Sequence, residues 1–211
     1  QQILTEHASV PAMRETVEKL KNYSPTVNEL MSKEEHLTSE EKNNITTYLL
    51  SRVAIENASR PSHVTNLTMA EYHSGEEIED NYVCTTLYAK NGIAPLSFSQ
   101  ELRRLIHKYI RNVRVHISNS SPAGKAPLFL NNAGNRIRNL SSERHLYKLL
   151  KLVGVAHIFN LTQMRKAVTT LAARQFRNNP GQRSLLNNYL AHTNEVAEMY
   201  YEAATRTSEY H

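Results

Sequence analysis

With a single cysteine, Cys84, the 211-residue chain can form no internal disulfide and offers no thiolate cluster to a metal. A reducing, intracellular setting fits that usage, and no metal or other cofactor is expected. No apolar run approaches the roughly 18 residues of a membrane span, and no signal-peptide pattern opens the chain, so no membrane partner is expected. Acidic residues are scarce in the second half. Residues 101–211 hold 6 Asp/Glu against 17 Lys/Arg, a net +11, while residues 1–100 hold 14 against 8, a net −6. That shortage points the C-terminal part toward a polyanion, nucleic acid first, although a solvated basic surface reads the same way. What remains is an ordinary soluble balance, 40% hydrophobic and 21% charged, in a length that suits one domain with an N-terminal extension.

Taken in order, residues 1–37 read as a helix and a linker. Pro11 suits a first helical position, Met13, Val17 and Leu20 recur at helical spacing, and Ser24-Pro25 is expected to break the pattern. A helix is expected from Thr38 to Asn57, with Thr38 and Glu41 as a capping box and Ile45, Tyr48, Leu49 and Val53 as its buried stripe. Arg60-Pro61 then opens a short helix ending near Leu67-Thr68.

The period changes over residues 71–99. Tyr82 to Tyr88 is rich in β-branched and aromatic residues, Asn91-Gly92 is a hairpin signal, and Ile93 to Phe98 is the return strand. Pro95 places that strand at an edge, and Glu71 to Ile78 is a candidate first strand. A long amphipathic helix follows from Ser99 to Ile117, with Arg103, Arg104, His107, Lys108 and Arg111 on its outer face. Ser118 to Lys125 reads as a loop, and a further helix covers about Ser141 to Val153. The fold class is therefore mainly α with a small antiparallel β-sheet, an α+β domain over residues 38–211.

Chemistry concentrates between Phe159 and Tyr201. Arg165 lies early on a helical pattern, His192 follows a turn, and Tyr201 comes nine positions later. Phosphoryl transfer to a tyrosine needs such a set, because phenol is a poor nucleophile and the phosphate needs fixed cations while charge redistributes. The run Thr162-Gln163-Met164-Arg165, then Leu190-Ala191-His192, then Tyr201 resembles the catalytic end of the tyrosine recombinases. That family carries His-x-x-Arg, Leu-Gly-His and a tyrosine nine residues on. Two positions depart: Thr162 stands where a histidine is usual, and Ala191 replaces the glycine. ASRPSHVTNLTMAEY resembles the family's first box, with Arg60 at the catalytic arginine, and Lys90 falls in the hairpin that carries the family's lysine. The wording TQMRKAVTT and LAHTNEVAEMYY is similar to Crypton-type eukaryotic transposon recombinases, for which a nuclear location is implied.

The resemblance covers residues 38–204 and implies a DNA-cleaving site of Arg60, Lys90, Arg165, His192 and Tyr201, with Thr162 as a candidate auxiliary. Tyr201 would form a 3′-phosphotyrosyl bond, the two arginines would clamp the non-bridging oxygens, and Lys90 would protonate the leaving 5′ oxygen. The partner implied is double-stranded DNA, with assembly into a dimer or tetramer on it. Arg136, Arg138, Arg144, Lys148, Lys151 and Lys166 are candidate phosphate contacts. Three other readings stay open: a catalytically silent DNA-binding protein, a type IB topoisomerase-like enzyme that relaxes DNA, and a plain helical interaction module.

Overall fold

The computed structural model describes residues 10–33, 36–89, 92–117, 126–138 and 143–156, together with 160, 162, 163, 165, 166, 179 and 181. Helices α1 (Val10–Asn22) and α2 (Ser24–Leu30) precede the central helix α3 (Ser39–Glu56). Ser24-Pro25 does not end the helical region as expected from sequence. Proline lacks an N–H, which is no loss in a first turn, and here it opens α2 after a one-residue joint at Tyr23. These two helices bring Leu20, Val27 and Met31 into the same buried core as α3.

α3 starts where the capping box requires. Thr38 Oγ1 accepts the Glu41 N–H, and the Glu41 carboxylate accepts the Thr38 N–H at 2.8 Å. Lys33 and Thr38 hold the Glu41 carboxyl down at about 2. Ile45, Tyr48, Leu49 and Val53 are fully buried, and so is Arg52. That guanidinium is tolerated because Nη1 donates to Tyr48 Oη at 2.8 Å and Nε pairs with Glu56; Tyr48 in turn donates to the Leu20 carbonyl.

The end of α3 is built with some strain. Ser59 N–H donates to Ala54 O and Ala58 N–H to Ile55 O, the paired bonds of a Schellman cap. The left-handed position of that cap is usually glycine, and here it is Ala58 at φ 45°. The adjacent Asn57 side chain acts as a stand-in strand. Its Nδ2 donates to Ser97 O at 2.8 Å, and its Oδ1 accepts Ser97 N–H at 2.7 Å.

Beyond the cap come α4 (Pro61–Thr65) and α5 (Met69–His73). The expected strand from Glu71 is instead split. Thr68 and Glu71 form a second capping box that makes 69–73 helical, and only Glu76–Ile78 is extended, as β1. Glu71 also accepts Leu87 N–H at 2.8 Å, tying α5 to β2 (Asn81–Ala89). Gly75 is required at this corner, since a Cβ there would lie 2.7 Å from Val83 O. The sheet is antiparallel in the order β1-β2-β3, with β3 (Gly92–Ser99) at an edge and Pro95 opposite Thr85. Cys84 is buried on β2, and that burial pushes its thiol up to about 12.

α6 (Gln100–Asn112) begins at Ser99, whose hydroxyl accepts Leu102 N–H, and it buries Leu102, Leu105, Ile106 and Tyr109. A 3₁₀ turn follows at Arg114–His116, and α7 (Glu143–Leu152) packs Leu146, Leu149 and Leu150 on the core, contacting α3. The outer face of α6 is partly engaged within the fold. Arg103 pairs with Glu77 and stacks over Tyr82, and Lys108 donates to Asn28. Arg104, His107 and Arg111 remain exposed. Among the described residues no helix is long and apolar enough to cross a membrane, and no cluster of His, Cys, Asp and Glu could hold a metal ion.

Candidate active site

Arg60 is the residue from which α4 starts. It is extended, at φ −68° and ψ 141°, because Pro61 excludes the helical conformation from its predecessor and then supplies the preset first helical turn. Its carbonyl accepts the His63 N–H at 2.9 Å, which places His63 one turn further along. Arg60 is partly exposed, whereas His63 is 2% exposed.

Arg165 lies on a separate helical turn. Asn160 Oδ1 accepts Gln163 N–H at 2.8 Å, and Gln163 Oε1 accepts Asn160 N–H at 3.0 Å. This reciprocal Asn-x-x-Gln cap opens a helical stretch in which Thr162, Gln163, Arg165 and Lys166 are described. Arg165 is buried, at 7% exposure, while Thr162, three positions before it, is exposed.

The charges of Arg165 and Arg60 both act on His63. Its imidazole is held down at about 4, first by burial, then by the Arg165 charge, then by that of Arg60. Both charges acting on the ring are positive, and the ring is neutral at pH 7. A neutral imidazole keeps one nitrogen as a proton acceptor, and guanidinium groups are suited to oxyanions. Sequence reading did not single out His63, although it lies in the same box as Arg60, three positions on. A histidine on a five-residue helix carries no signal of the Arg165 charge that acts on it.

The other sequence candidates divide in two. Arg136 is exposed and donates to Asn66 Oδ1 at the C-terminal end of α4, which ties it to the helix that Arg60 opens. Arg138, Lys148 and Lys151 are exposed, and Lys166 is half-buried. The side chain of Arg144, together with Lys90, His192 and Tyr201, lies outside the described residues.

No protein-family model matches the sequence, and no curated protein does. Among solved structures, the chain is similar to the XerH site-specific recombinase bound to palindromic difH substrate in a post-cleavage complex. The TM-score is 0.64 at 12% identity, over 96% of this chain and 51% of that one. It is similar also to the XerA recombinase, with a TM-score of 0.54 at 13% identity over 96% of this chain and 61% of that one. A pre-cleavage complex of XerH gives 0.63 at 13% identity, over 92% of this chain and 49% of that one. This chain thus spans about half of the XerH chain. Its helices around a three-stranded antiparallel sheet have the fold of a tyrosine recombinase catalytic domain.

Proposed function

We propose that the chain cleaves and rejoins DNA strands through a 3′-phosphotyrosyl intermediate. The observation that carries this reading is the tyrosine recombinase catalytic-domain fold, within which the charges of Arg60 and Arg165 both act on the buried His63. Two planar guanidinium forks suit the non-bridging oxygens of a phosphodiester, and a site of fixed cations lowers the barrier by matching charge as it redistributes.

In this mechanism the Tyr201 phenol attacks the scissile phosphorus. The bond from phosphorus to the tyrosine oxygen forms, the bond to the 5′ oxygen breaks, and Lys90 protonates the departing 5′ oxygen. His192 adds a hydrogen bond to the phosphate. Attack by a 5′-hydroxyl on the phosphotyrosine reverses the sequence, so bond energy is conserved and no nucleotide cofactor is consumed. The +11 balance of residues 101–211 supports a double-stranded DNA partner, with Arg136, Arg138, Lys148 and Lys151 as phosphate contacts. Assembly as a dimer or tetramer on DNA, a Crypton-type origin and a nuclear setting belong to the same reading.

The test is incubation of the chain with a nicked suicide duplex, whose short 5′ fragment diffuses away and leaves the adduct trapped. A covalent protein–DNA species resistant to denaturant is expected. DNA binding with no adduct on any substrate would replace this reading with a silent DNA-binding protein.

A further inference from the structure

We propose that the cleft between α5 and α6 binds a phosphate group carried on an organic molecule. The cleft has a volume of about 500 Å³ and is lined by His73 from α5 and by Arg103, His107 and Arg111 from α6. Residues four apart on a helix share a face, so the last three form one stripe, two arginines with an imidazole between them. Leu102, Leu105, Ile106 and Tyr109 anchor the inner face of α6 in the core, which fixes that stripe outward. His73, His107 and Arg111 are exposed, so a ligand reaches them from solvent. Neither Arg60, His63 nor Arg165 lines the cleft, and the inference stands apart from the recombinase reading.

The groups are held in place by packing. The buried Tyr72 ring sits edge-on to both imidazoles, with centroids 5.6 Å from His73 and 5.9 Å from His107. Arg103 lies over the Tyr82 ring at 4.2 Å and pairs with Glu77, while its Nε is buried without a hydrogen-bond partner. Among the described residues no carboxylate forms an ion pair with His73, His107 or Arg111. Burial holds the His107 imidazole below its ordinary range, and Arg103, His73 and Arg111 push it the same way. Its protonation is thus opposed by the cluster itself and favoured by an anion seated there. Donors come from two walls, which suits a tetrahedral phosphate with oxygens on several sides better than a planar carboxylate. One phosphate fills only part of the cleft, and the apolar surface of Ile110 and Tyr82 is left for its organic carrier.

The experiment is modification of the whole chain with phenylglyoxal, an arginine reagent, read at each arginine by mass spectrometry with and without adenosine monophosphate. Arg104 is the internal reference, exposed on the same helix but outside the cleft. The nucleotide should slow modification of Arg111 and leave Arg104 unchanged, and adenosine, which lacks the phosphate, should protect neither. H107Q should raise the nucleotide concentration that half-protects Arg111 by about tenfold, the loss of one charge-assisted hydrogen bond. A short DNA duplex is the second arm. Protection of Arg111 by the nucleotide assigns the cleft to a free phosphate ester, and protection by the duplex alone assigns it to a backbone phosphate. Arg111 reactivity unchanged by both ligands would overturn the proposal. So would equal protection of Arg104, protection by adenosine, or the same half-protecting concentration in H107Q.

Discussion

Arg60 and Arg165, 105 positions apart in the sequence, bring their charges to bear on one buried ring, that of His63. Both positive charges oppose protonation of the buried imidazole, which stays neutral, and an arriving anion would offset them. Function and stability are therefore linked at this point, and both can be measured.

Stability should fall on mild acidification. The His63 pKa is depressed to about 4 in the folded chain from 6.5 in the unfolded one. The unfolded state therefore binds more protons between those values. The contribution is fully present above pH 6.5 and is lost as pH drops toward 4, by roughly 3 kcal/mol at most. Glu41, depressed to about 2, acts in a separate lower window, from 4.5 downward. Thermal unfolding followed from pH 7 to 4.5 should show Tm falling by several degrees in wild type and markedly less in H63Q. An equal fall in both would remove the assignment to His63.

Ala58→Gly should stabilise the fold. Alanine at φ 45° carries a steric cost of about 1 kcal/mol that glycine does not, and the cap hydrogen bonds are unaffected by the change. Denaturant unfolding should show a higher midpoint with the same slope. A lower midpoint would mean that the side chain of Ala58, 7% exposed, contributes more by packing than the backbone loses.

Only one of the two adjacent tyrosines should carry the DNA. On a helix Tyr200 and Tyr201 point about 100° apart, and Tyr201 lies nine positions beyond His192. Tyr201→Phe should abolish the adduct while leaving folding and DNA binding intact, and Tyr200→Phe should keep it. Mass spectrometry of the trapped peptide decides, and modification of Tyr200 would overturn the choice.

DNA affinity should decline steeply with salt. Arg138, Lys148 and Lys151 are exposed in the basic C-terminal part, and removing any one phosphate-binding cation should reduce the log–log slope by about 1. Titrations at about 50 to 200 mM salt check this. Binding insensitive to salt, or unchanged slopes in K148A and K151A, would move the interface elsewhere.

Much of the fold was legible because its signals are local. The capping box at Thr38 and Glu41 marks the start of α3, and β-branched residues with Asn91-Gly92 mark the strands on either side of that turn. Short elements were harder. Ser24-Pro25 reads as a break when it opens a helix, and the Thr68–Glu71 box straddles the expected end of one helix and the expected start of a strand. For the candidate site, Arg60 and Arg165 were singled out through resemblance to the boxes of a known family. His63 was not, because what bears on it is a charge about 100 positions away in sequence, which no periodicity encodes.

The Asn57 amide that occupies both backbone groups of Ser97 has a consequence for how the protein behaves at concentration. β3 is an edge strand, and an edge with open donors and acceptors recruits the edges of other molecules. Here one outward pair is already filled from within the chain, at 2.7 and 2.8 Å, and Pro95 has no N–H to offer two residues away. The hairpin is thereby a poor template for intermolecular β-pairing. Replacing Asn57 with alanine would reopen that slot, so the first symptom of such a change should be self-association through the sheet edge.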